Sequence, residues 1–212
     1  MSIEQKLDRR GFMFVLSSPS GAGKTTISRL LMQNDNNLVM SISSTTRPPR
    51  DNEVHEKDYF FISEKEFEEK IDRKFFYEYA EVFGNYYGTP RKKVEDSISE
   101  GKDVLFDIDW QGTRRLTSKA RDDIVSVFIL PPSMDELRRR LITRGKDSSD
   151  VIERRMARAS DEISHWNEYD YVIINDNIDT SLLNILYILK AERLKRTRQH
   201  SLSDFVNNML SQ

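Results

Sequence analysis

Ser18-Pro19-Ser20-Gly21-Ala22-Gly23-Lys24-Thr25 lies between an apolar run, Phe12-Met13-Phe14-Val15-Leu16, and an apolar-periodic stretch from Thr25 to Met32. The run reads as a buried strand and the stretch as a helix. A glycine-rich loop in that position has one well-understood use. Gly21 and Gly23 let the backbone wrap an anion without Cβ clashes. The bent backbone and the helix N-terminus aim N–H groups at that anion. Lys24 adds a positive charge for β- and γ-phosphates, and the Thr25 hydroxyl can ligate Mg²⁺. The segment is therefore predicted to be a P-loop. It departs from the general pattern at one position, where Ser18 stands for the first glycine.

A strand–loop–helix unit of this kind implies more like it. Val104-Leu105-Phe106, Val125 to Leu130 and Tyr171 to Ile174 read as further buried strands. Helical stretches from about Gln111 to Ala120 and from about Ser181 alternate with them. The alternation predicts an α/β fold, with a parallel sheet covered on both faces. Two segments break the rhythm. Residues 44 to 90 are rich in aromatics, Arg, Gly and Pro, with strand-like patches at Tyr59–Ile62 and Phe75–Tyr79. A capping box, Ser63-Glu64-Lys65-Glu66, starts a helix between the patches. This segment reads as a small α+β insert. Residues from Ser133 to about Glu162 open with another capping box, Ser133-Met134-Asp135-Glu136, and crowd arginines onto a helical stretch. A turn is expected at Gly145 to Asp150.

Composition narrows the chemistry. The 212 residues carry 33 basic and 35 acidic side chains, a formal net charge of −2, and no cysteine. Near neutrality argues against a general polyanion binder. The missing cysteines exclude disulfides, zinc–cysteine sites, iron–sulfur clusters and thiol catalysis. His55, His165 and His200 are too scattered for a metal cluster. Five consecutive apolar residues near the start are too few for a signal or membrane segment, so the expectation is a soluble cytoplasmic protein without nucleic-acid or membrane partners. The basic residues Lys190, Arg193, Lys195, Arg196 and Arg198 read as a solvated face of a terminal helix.

Three further motifs each have a functional and a plain reading. Ser41-Ile42-Ser43-Ser44-Thr45-Thr46-Arg47-Pro48-Pro49-Arg50 is either a stiff arginine fork for a phosphate, with hydroxyls filling the remaining acceptors, or a solvated basic loop. Glu78-Tyr79-Ala80-Glu81 with Gly84 to Pro90 suits a small flat ligand, or is a strand end and turn. Val104 to Asp109 either places the Asp107 carboxylate near the metal beside the P-loop or ends a strand with a turn-capping aspartate.

Taken in order, the P-loop, Ser44 to Arg50, Asp58-Tyr59, Gly84-Asn85-Tyr86-Tyr87-Gly88 and Asp107-Ile108-Asp109 together resemble the guanylate kinase family. Pro131-Pro132-Ser133, Arg144-Gly145, Arg155 and Asn175-Asp176 continue the resemblance, which covers about residues 10 to 195. It implies a three-layer P-loop fold with a parallel core sheet (10–43, 91–132 and 163–195), a GMP-binding insert (44–90), a helical lid (133–162) and, after residue 195, a helical tail. It implies transfer of the γ-phosphoryl group of ATP to GMP, with dGMP as an alternative acceptor and Mg²⁺ accompanying ATP. By motif position, Ser18, Pro19, Ser20, Gly21, Ala22, Gly23, Lys24 and Thr25 would bind ATP phosphates, with Asn175 near the adenine. Ser43, Glu78 and Thr89 would contact guanine, assisted by Asp109. Arg47, Arg50, Tyr59 and Tyr87 would hold the GMP phosphate. Arg144 and Arg155 would close over the moving phosphoryl group, and Thr25 and Asp107 would serve the metal. Lys24, Arg47, Arg144 and Arg155 are the catalytic candidates. The family pattern usually has glycine where Asn52 and Glu56 stand. Two rivals are a non-catalytic protein-binding domain of the same fold and a kinase for another nucleoside monophosphate. The intact Gly23-Lys24-Thr25 opposes the first, and Ser43, Glu78 and Thr89 oppose the second.

Overall fold

The computed structural model describes residues 8–51, 53–82, 84–143 and 149–211, with nine strands and eight α-helices among them. Strand β1, Met13–Ser17, is buried along its whole length. It is followed by α1 (Lys24–Asn34), β2 (Leu38–Met40), β3 (Ser44–Thr45), β4 (Phe60–Phe61), α2 (Glu64–Asp72), β5 (Phe76–Val82), β6 (Asn85–Pro90) and α3 (Arg91–Ser99). Then come β7 (Asp103–Asp107), α4 (Trp110–Ala120), β8 (Ile124–Leu130), α5 (Met134–Thr143), α6 (Ser149–Ser164), β9 (Tyr171–Ile174), α7 (Ile178–Arg193) and α8 (Leu202–Leu210).

The core sheet has the order β2-β7-β1-β8-β9, and every pairing in it is parallel. Strand period two sends alternate side chains of β1 to opposite faces. Phe12, Phe14 and Leu16 join Ile27 and Leu31 of α1 and Ile185 and Leu189 of α7 on one face. Met13 and Val15 join Val94 and Ile98 of α3 and Leu116 of α4 on the other. The result is the three-layer α/β arrangement expected from a continuous apolar strand flanked by helices.

The second sheet, β4-β3-β6-β5, lies in the segment that breaks the sequence rhythm. Its ladder mixes a parallel β3–β4 pair with antiparallel β3–β6 and β5–β6 pairs. Helix α2 starts at the predicted cap, with the Glu66 N–H donating to Ser63 Oγ at 3.2 Å. It buries Phe67, whose ring stacks on Phe76 and Tyr86 at centroid distances of 4.5 and 5.3 Å. Helix α5 likewise starts with the Glu136 N–H on Ser133 Oγ at 3.1 Å. In neither helix does the glutamate reach back to complete the box, because Glu66 pairs with Lys70 and Glu136 with Arg139 and Arg140. Helices α5 and α6 share a small core of Leu137, Leu141, Ile152, Met156 and Ala159. The turn expected at 145 to 150 falls largely on residues outside the described ones, and α6 already contains Asp150.

In the basic stretch near the C-terminus Lys190, Lys195 and Arg196 are exposed as expected, but Arg193 and Arg198 are not. Arg193 donates to Asp35 and to Asp103, each at 2.6 Å, and Arg9 reaches the same Asp103 at 2.7 Å. Asp103 is fully buried at the start of β7. Arg198 is buried too, with its guanidinium 4.3 Å from the Phe12 ring centre and 3.4 Å from Glu192. These side chains brace the end of α7 against the core sheet. A charge run looks solvated when its partners lie far away in the chain, as Asp35 and Asp103 do.

Among the described residues, only Glu56 and Lys74 have positive φ without being glycine. Ser18 is thus no left-handed residue, and its departure from the glycine pattern costs no backbone strain. Lys74 closes α2, its N–H on Ile71 O and the next N–H, of Phe75, on Lys70 O. Glu56 sits at φ +67° in a turn where its N–H donates to Tyr59 O at 2.9 Å. A left-handed non-glycine residue stores roughly 1–2 kcal/mol. Replacing it with glycine adds an unfolded-state entropy cost of roughly 0.5–1 kcal/mol. Glu56→Gly should therefore raise stability by about 0.5–1 kcal/mol, read as a higher urea midpoint at unchanged slope. A lower midpoint would show that the Glu56 side chain compensates its own strain.

Candidate active site

The parallel core sheet brings the carboxyl ends of its strands to one edge, where ligands of open α/β sheets bind. The glycine-rich loop leaves β1 at that edge and enters α1 at Gly23, the N-cap residue, with φ +106°. Gly23 has no side chain with which to cap α1. The first N–H groups of the helix lack intrahelical acceptors and stay available to an anion. The space around the loop is as tight as its dihedrals. A Cβ on Gly23 would stand 2.4 Å from Asn175 Nδ2, and one on Gly21, itself at φ +99°, would stand 3.0 Å from Leu137 and 3.1 Å from Leu141. Asn175 follows β9. Its side-chain amide donates to Ala22 O at 2.7 Å, its own N–H donates to Leu130 O at 2.8 Å, and it is only 4% exposed. The residue expected near a base thus also clamps the loop. It lines a cleft of ≈ 570 Å³ shared by Gly21, Gly23, Arg139, Arg140 and Ile178.

Lys24 opens α1, and its Nζ lies 2.5 Å from Asp107 Oδ1 and 3.2 Å from Ile108 O. The other Asp107 oxygen accepts from Ser28 Oγ at 3.3 Å. Register explains the meeting, because Leu16 of β1 pairs with Asp107 of β7. Thr25 is exposed on the first turn of α1. Ser20 N–H donates to Glu162 Oε2 at 3.2 Å, so a carboxylate from α6 occupies one donor of the loop. Burial pushes the Glu162 carboxyl upward, against the pull of that N–H and of Arg158. Ser18 Oγ turns back onto Pro19 O at 3.0 Å.

The second half of the site lies in the small sheet. Arg47 donates to Glu53 Oε1 at 2.8 Å and to Pro48 O at 2.7 Å, while Glu53 Oε2 accepts the Arg50 N–H at 2.9 Å. The Arg47 guanidinium lies 5.5 Å from the Tyr59 ring centre, and Tyr59 meets Tyr87 edge-on at 6.0 Å. Arg47, Tyr59 and Tyr87 are thereby brought together, with Arg50 exposed at the loop tip. The neighbouring hydroxyls have a different task from the one expected of them. Thr45 Oγ1 donates to Tyr86 O at 2.9 Å, and Thr46 Oγ1 accepts from Tyr86 N–H at 2.9 Å. They tie β3 and the residue after it to β6, through the buried Thr45 and the half-buried Thr46.

Glu78 stands on β5, with side-chain exposure of 11%. Thr89 Oγ1 of β6 donates to its Oε1 at 2.8 Å, and Arg115 Nε of α4 donates to its Oε2 at 3.3 Å. Burial raises the Glu78 pKa, while Thr89 and Arg115 oppose that rise and Asp109 adds to it. Asp109 caps α4, its Oδ1 accepting the Gly112 N–H at 2.8 Å. Ser43 immediately precedes β3, and its carbonyl accepts the Phe60 N–H at 2.9 Å.

Arg155 is half-buried on α6. Arg144 lies outside the described residues, as does Asn52. Arg138 of α5 pairs with Glu153 of α6, and Arg139 and Arg140 pair with Glu136 of their own helix. They do not form a bare cationic patch. Among the described residues no group of three or more His, Cys, Asp or Glu side chains could hold a metal. Thr25 and Asp107 offer hard oxygens suited to an Mg²⁺ ion that keeps most of its ligands from water and phosphate. Glu53, Arg115 and Glu162 escaped the sequence reading. Glu53 follows closely on the arginine fork and could have been proposed as a partner of Arg47, whereas Arg115 and Glu162 reach the site only through packing.

A guanylate kinase family model matches residues 10–192. A guanylate kinase from Novosphingobium aromaticivorans is 56% identical over 207 residues, spanning 98% of this chain and 94% of the relative. One from Nitrobacter winogradskyi is 58% identical over 206 residues, spanning 97% and 94%. Among solved structures, guanylate kinase from Anaplasma phagocytophilum superposes with a TM-score of 0.76 at 42% identity, covering 94% of this chain and 95% of the other.

The Asn175 clamp has a measurable consequence. Asn175→Ala leaves the Ala22 carbonyl without its buried donor, which costs about 1–3 kcal/mol. Urea unfolding should show that loss, and calorimetry should show weaker binding of a non-hydrolysable ATP analogue. An unchanged analogue affinity in the folded variant would mean that the loop keeps its shape without the clamp.

Proposed function

The chain belongs to the guanylate kinase family, and on that premise we propose that the glycine-rich loop and the small sheet hold ATP and GMP, respectively, for direct phosphoryl transfer. The reaction is ATP + GMP giving ADP + GDP. Its nucleophile is a phosphate oxygen of GMP, ionised at neutral pH, so no general base is required. Catalysis consists of positioning two anions and balancing charge on the transferring group.

The observation that carries the assignment is the division of chemistry between two sheets. An uncapped helix N-terminus with Lys24 stands on one, and a buried carboxylate with a hydroxyl neighbour, Glu78 with Thr89, stands on the other. The loop from Ser18 to Thr25 takes the ATP phosphates, and the cleft beside Asn175 takes the nucleoside. Arg47, Arg50, Tyr59 and Tyr87 take the GMP phosphate. Guanine presents N1–H and the N2 amine side by side. An ionised carboxylate has two acceptors and no donor to meet them. Adenine would turn a lone pair toward the same carboxylate and leave it unpaired, which is how a polar site rejects a wrong base. Ser43 supports the reading at O6, and Asp109 stands beside the carboxylate. Arg144 and Arg155 neutralise charge over the moving phosphoryl group. Thr25 and Asp107 would hold Mg²⁺, which supplies charge compensation across the β- and γ-phosphates when bound.

Three cationic or donor groups of the site already carry a carboxylate: Lys24 carries Asp107, Arg47 carries Glu53 and the Ser20 N–H carries Glu162. Substrate phosphates replace these carboxylates as ligands, so the cations and the N–H donor are not left unpaired in a partly dry site before the substrates arrive. Movement of the insert, residues 44–90, and of the lid, residues 133–162, over both substrates would exclude water as a competing acceptor. The reading calls for small-molecule substrates in the cytoplasm, with dGMP as an alternative acceptor and no nucleic-acid or membrane partner. Among the described residues no helix is long and apolar enough to cross a membrane.

A coupled ADP-release assay with ATP against a panel of nucleoside monophosphates tests both half-sites. GMP should be the preferred acceptor, and comparable rates with AMP would overturn the base assignment. Lys24→Ala should lower turnover by roughly 100-fold or more, as for loss of one electrostatic donor to the transition state, with unchanged circular dichroism. Near-normal turnover in that folded variant would remove Lys24 from the mechanism.

A further inference from the structure

Arg115 is not among the residues that the family motifs mark, yet its guanidinium makes direct contact with the carboxylate assigned to guanine. It sits on α4, a core helix covering the face of the main sheet that carries Val94, Ile98 and Leu116. Glu78 sits on β5 of the small sheet. The Arg115 Nε to Glu78 Oε2 contact of 3.3 Å therefore crosses from one sheet system to the other. Its geometry matters because Glu78 has two oxygens with different partners. Thr89 Oγ1 holds Oε1 and Arg115 holds Oε2. Together these donors fix the rotation of the carboxylate plane, and each oxygen keeps lone-pair capacity for a base.

We infer that Arg115 is a positioning residue of the guanine subsite, orienting the Glu78 carboxylate and keeping it in the two-acceptor form that guanine requires. This inference rests on the assignment of Glu78 to guanine. A protonated Glu78 would present one donor where guanine needs an acceptor, so the protonation state decides the fit. Thr89 from β6 is a neutral neighbour of the carboxylate. Asp109, ahead of α4, is the anionic one and favours protonation. Arg115 is the cation in direct contact. Lys74, Arg91 and Lys119 line the same ≈ 520 Å³ cleft as Glu78, together with Tyr77 and Tyr79. Arg91 is already engaged, with Glu95 at 3.7 Å and the Tyr77 ring at 4.3 Å, and no contact of Lys74 or Lys119 with Glu78 occurs among the described residues. Burial pushes Glu78 upward and Arg115 pulls it back, so losing Arg115 moves the carboxyl further up. The ionised form is then lost at a higher pH as acidity increases.

The test compares Arg115→Met, Arg115→Lys and Glu78→Gln with the wild type, measuring kcat/KM for GMP from about pH 4.5 to about pH 8.5, upward from the ordinary carboxyl range, and KM for ATP. Arg115→Met should raise KM for GMP on the order of tenfold, as expected for loss of a charge-assisted contact. It should also shift the acidic limb of kcat/KM upward, a limb that reports ionisation of the free enzyme and of GMP. Ionisation of the GMP phosphate is common to both proteins and cancels in the comparison. Arg115→Lys should restore much of the limb, because it returns the charge, and KM for ATP should stay constant in both. Combined with Glu78→Gln, Arg115→Met should add little. An Arg115→Met enzyme with an unmoved limb and wild-type KM for GMP overturns the inference, as does an equal effect of Arg115→Met in the Glu78→Gln background. Arg115→Lys, which keeps length and charge, covers any folding loss in the methionine variant, since a failure of lysine to restore the limb also overturns it. If Glu78→Gln alone leaves GMP efficiency unchanged, the assignment of Glu78 itself is wrong, an outcome distinct from the failure of Arg115.

Discussion

The parallel pairing of β1 with β7 on one side and β8 on the other is the constraint on which the rest of the protein depends. A strand buried on both faces cannot leave its backbone groups unpaired, so it must take two neighbours. Parallel neighbours in turn require helical crossovers, and these send every loop that follows a strand to one edge. The glycine-rich loop after β1, Asp107 at the end of β7 and Asn175 after β9 are remote in the chain. They meet because their strands are neighbours or near-neighbours in that sheet. The Lys24–Asp107 pair at 2.5 Å and the Asn175–Ala22 bond at 2.7 Å are consequences of strand order.

Charge in the site is organised by pairing rather than by accumulation. A formal net charge of −2 hides a surface where most arginines of α5 and of the C-terminal region have a carboxylate within reach. The same habit extends into the site, where Glu53, Asp107 and Glu162 rest on groups assigned to phosphates. An unpaired cation half out of water is costly, and a resident carboxylate spares it that cost until a phosphate takes its place. The buried Asp103, shared by Arg9 and Arg193, shows the purely architectural version of the same device.

The small sheet is held differently. Its contacts are aromatic stacking around the buried Phe67, Thr45 and Thr46 tied to Tyr86 of β6, and Arg47 closing its loop through Glu53. It also carries left-handed strain at Glu56. Local strain next to a recognition loop persists only where surrounding contacts over-determine the path, and the Glu56 N–H on Tyr59 O is one of those contacts.

What the sequence by itself determined were the features whose physical cause is local. The five-residue apolar run became β1, the Gly-x-Gly-Lys loop became an uncapped helix start, Ser63 and Ser133 became N-caps, and the position with glycine in the family pattern took φ +67° at Glu56. Periodicity, capping and φ preference act within a few residues, so they are legible in one dimension. Other features came only with the tertiary structure. Arg193 and Arg198 read as solvated, but Arg193 is half-buried against Asp35 and Asp103 and Arg198 is buried against Glu192. The hydroxyls of Thr45 and Thr46, which one of two readings made available to a phosphate, pair with Tyr86. Arg115 and Glu162 carried no motif at all, and each reaches the site because a helix packs where the core sheet directs it. A charged side chain chooses its partner by distance in space. Distance in space between residues such as Glu78 and Arg115, or Ser20 and Glu162, is set by how sheets and helices pack, which no local pattern encodes.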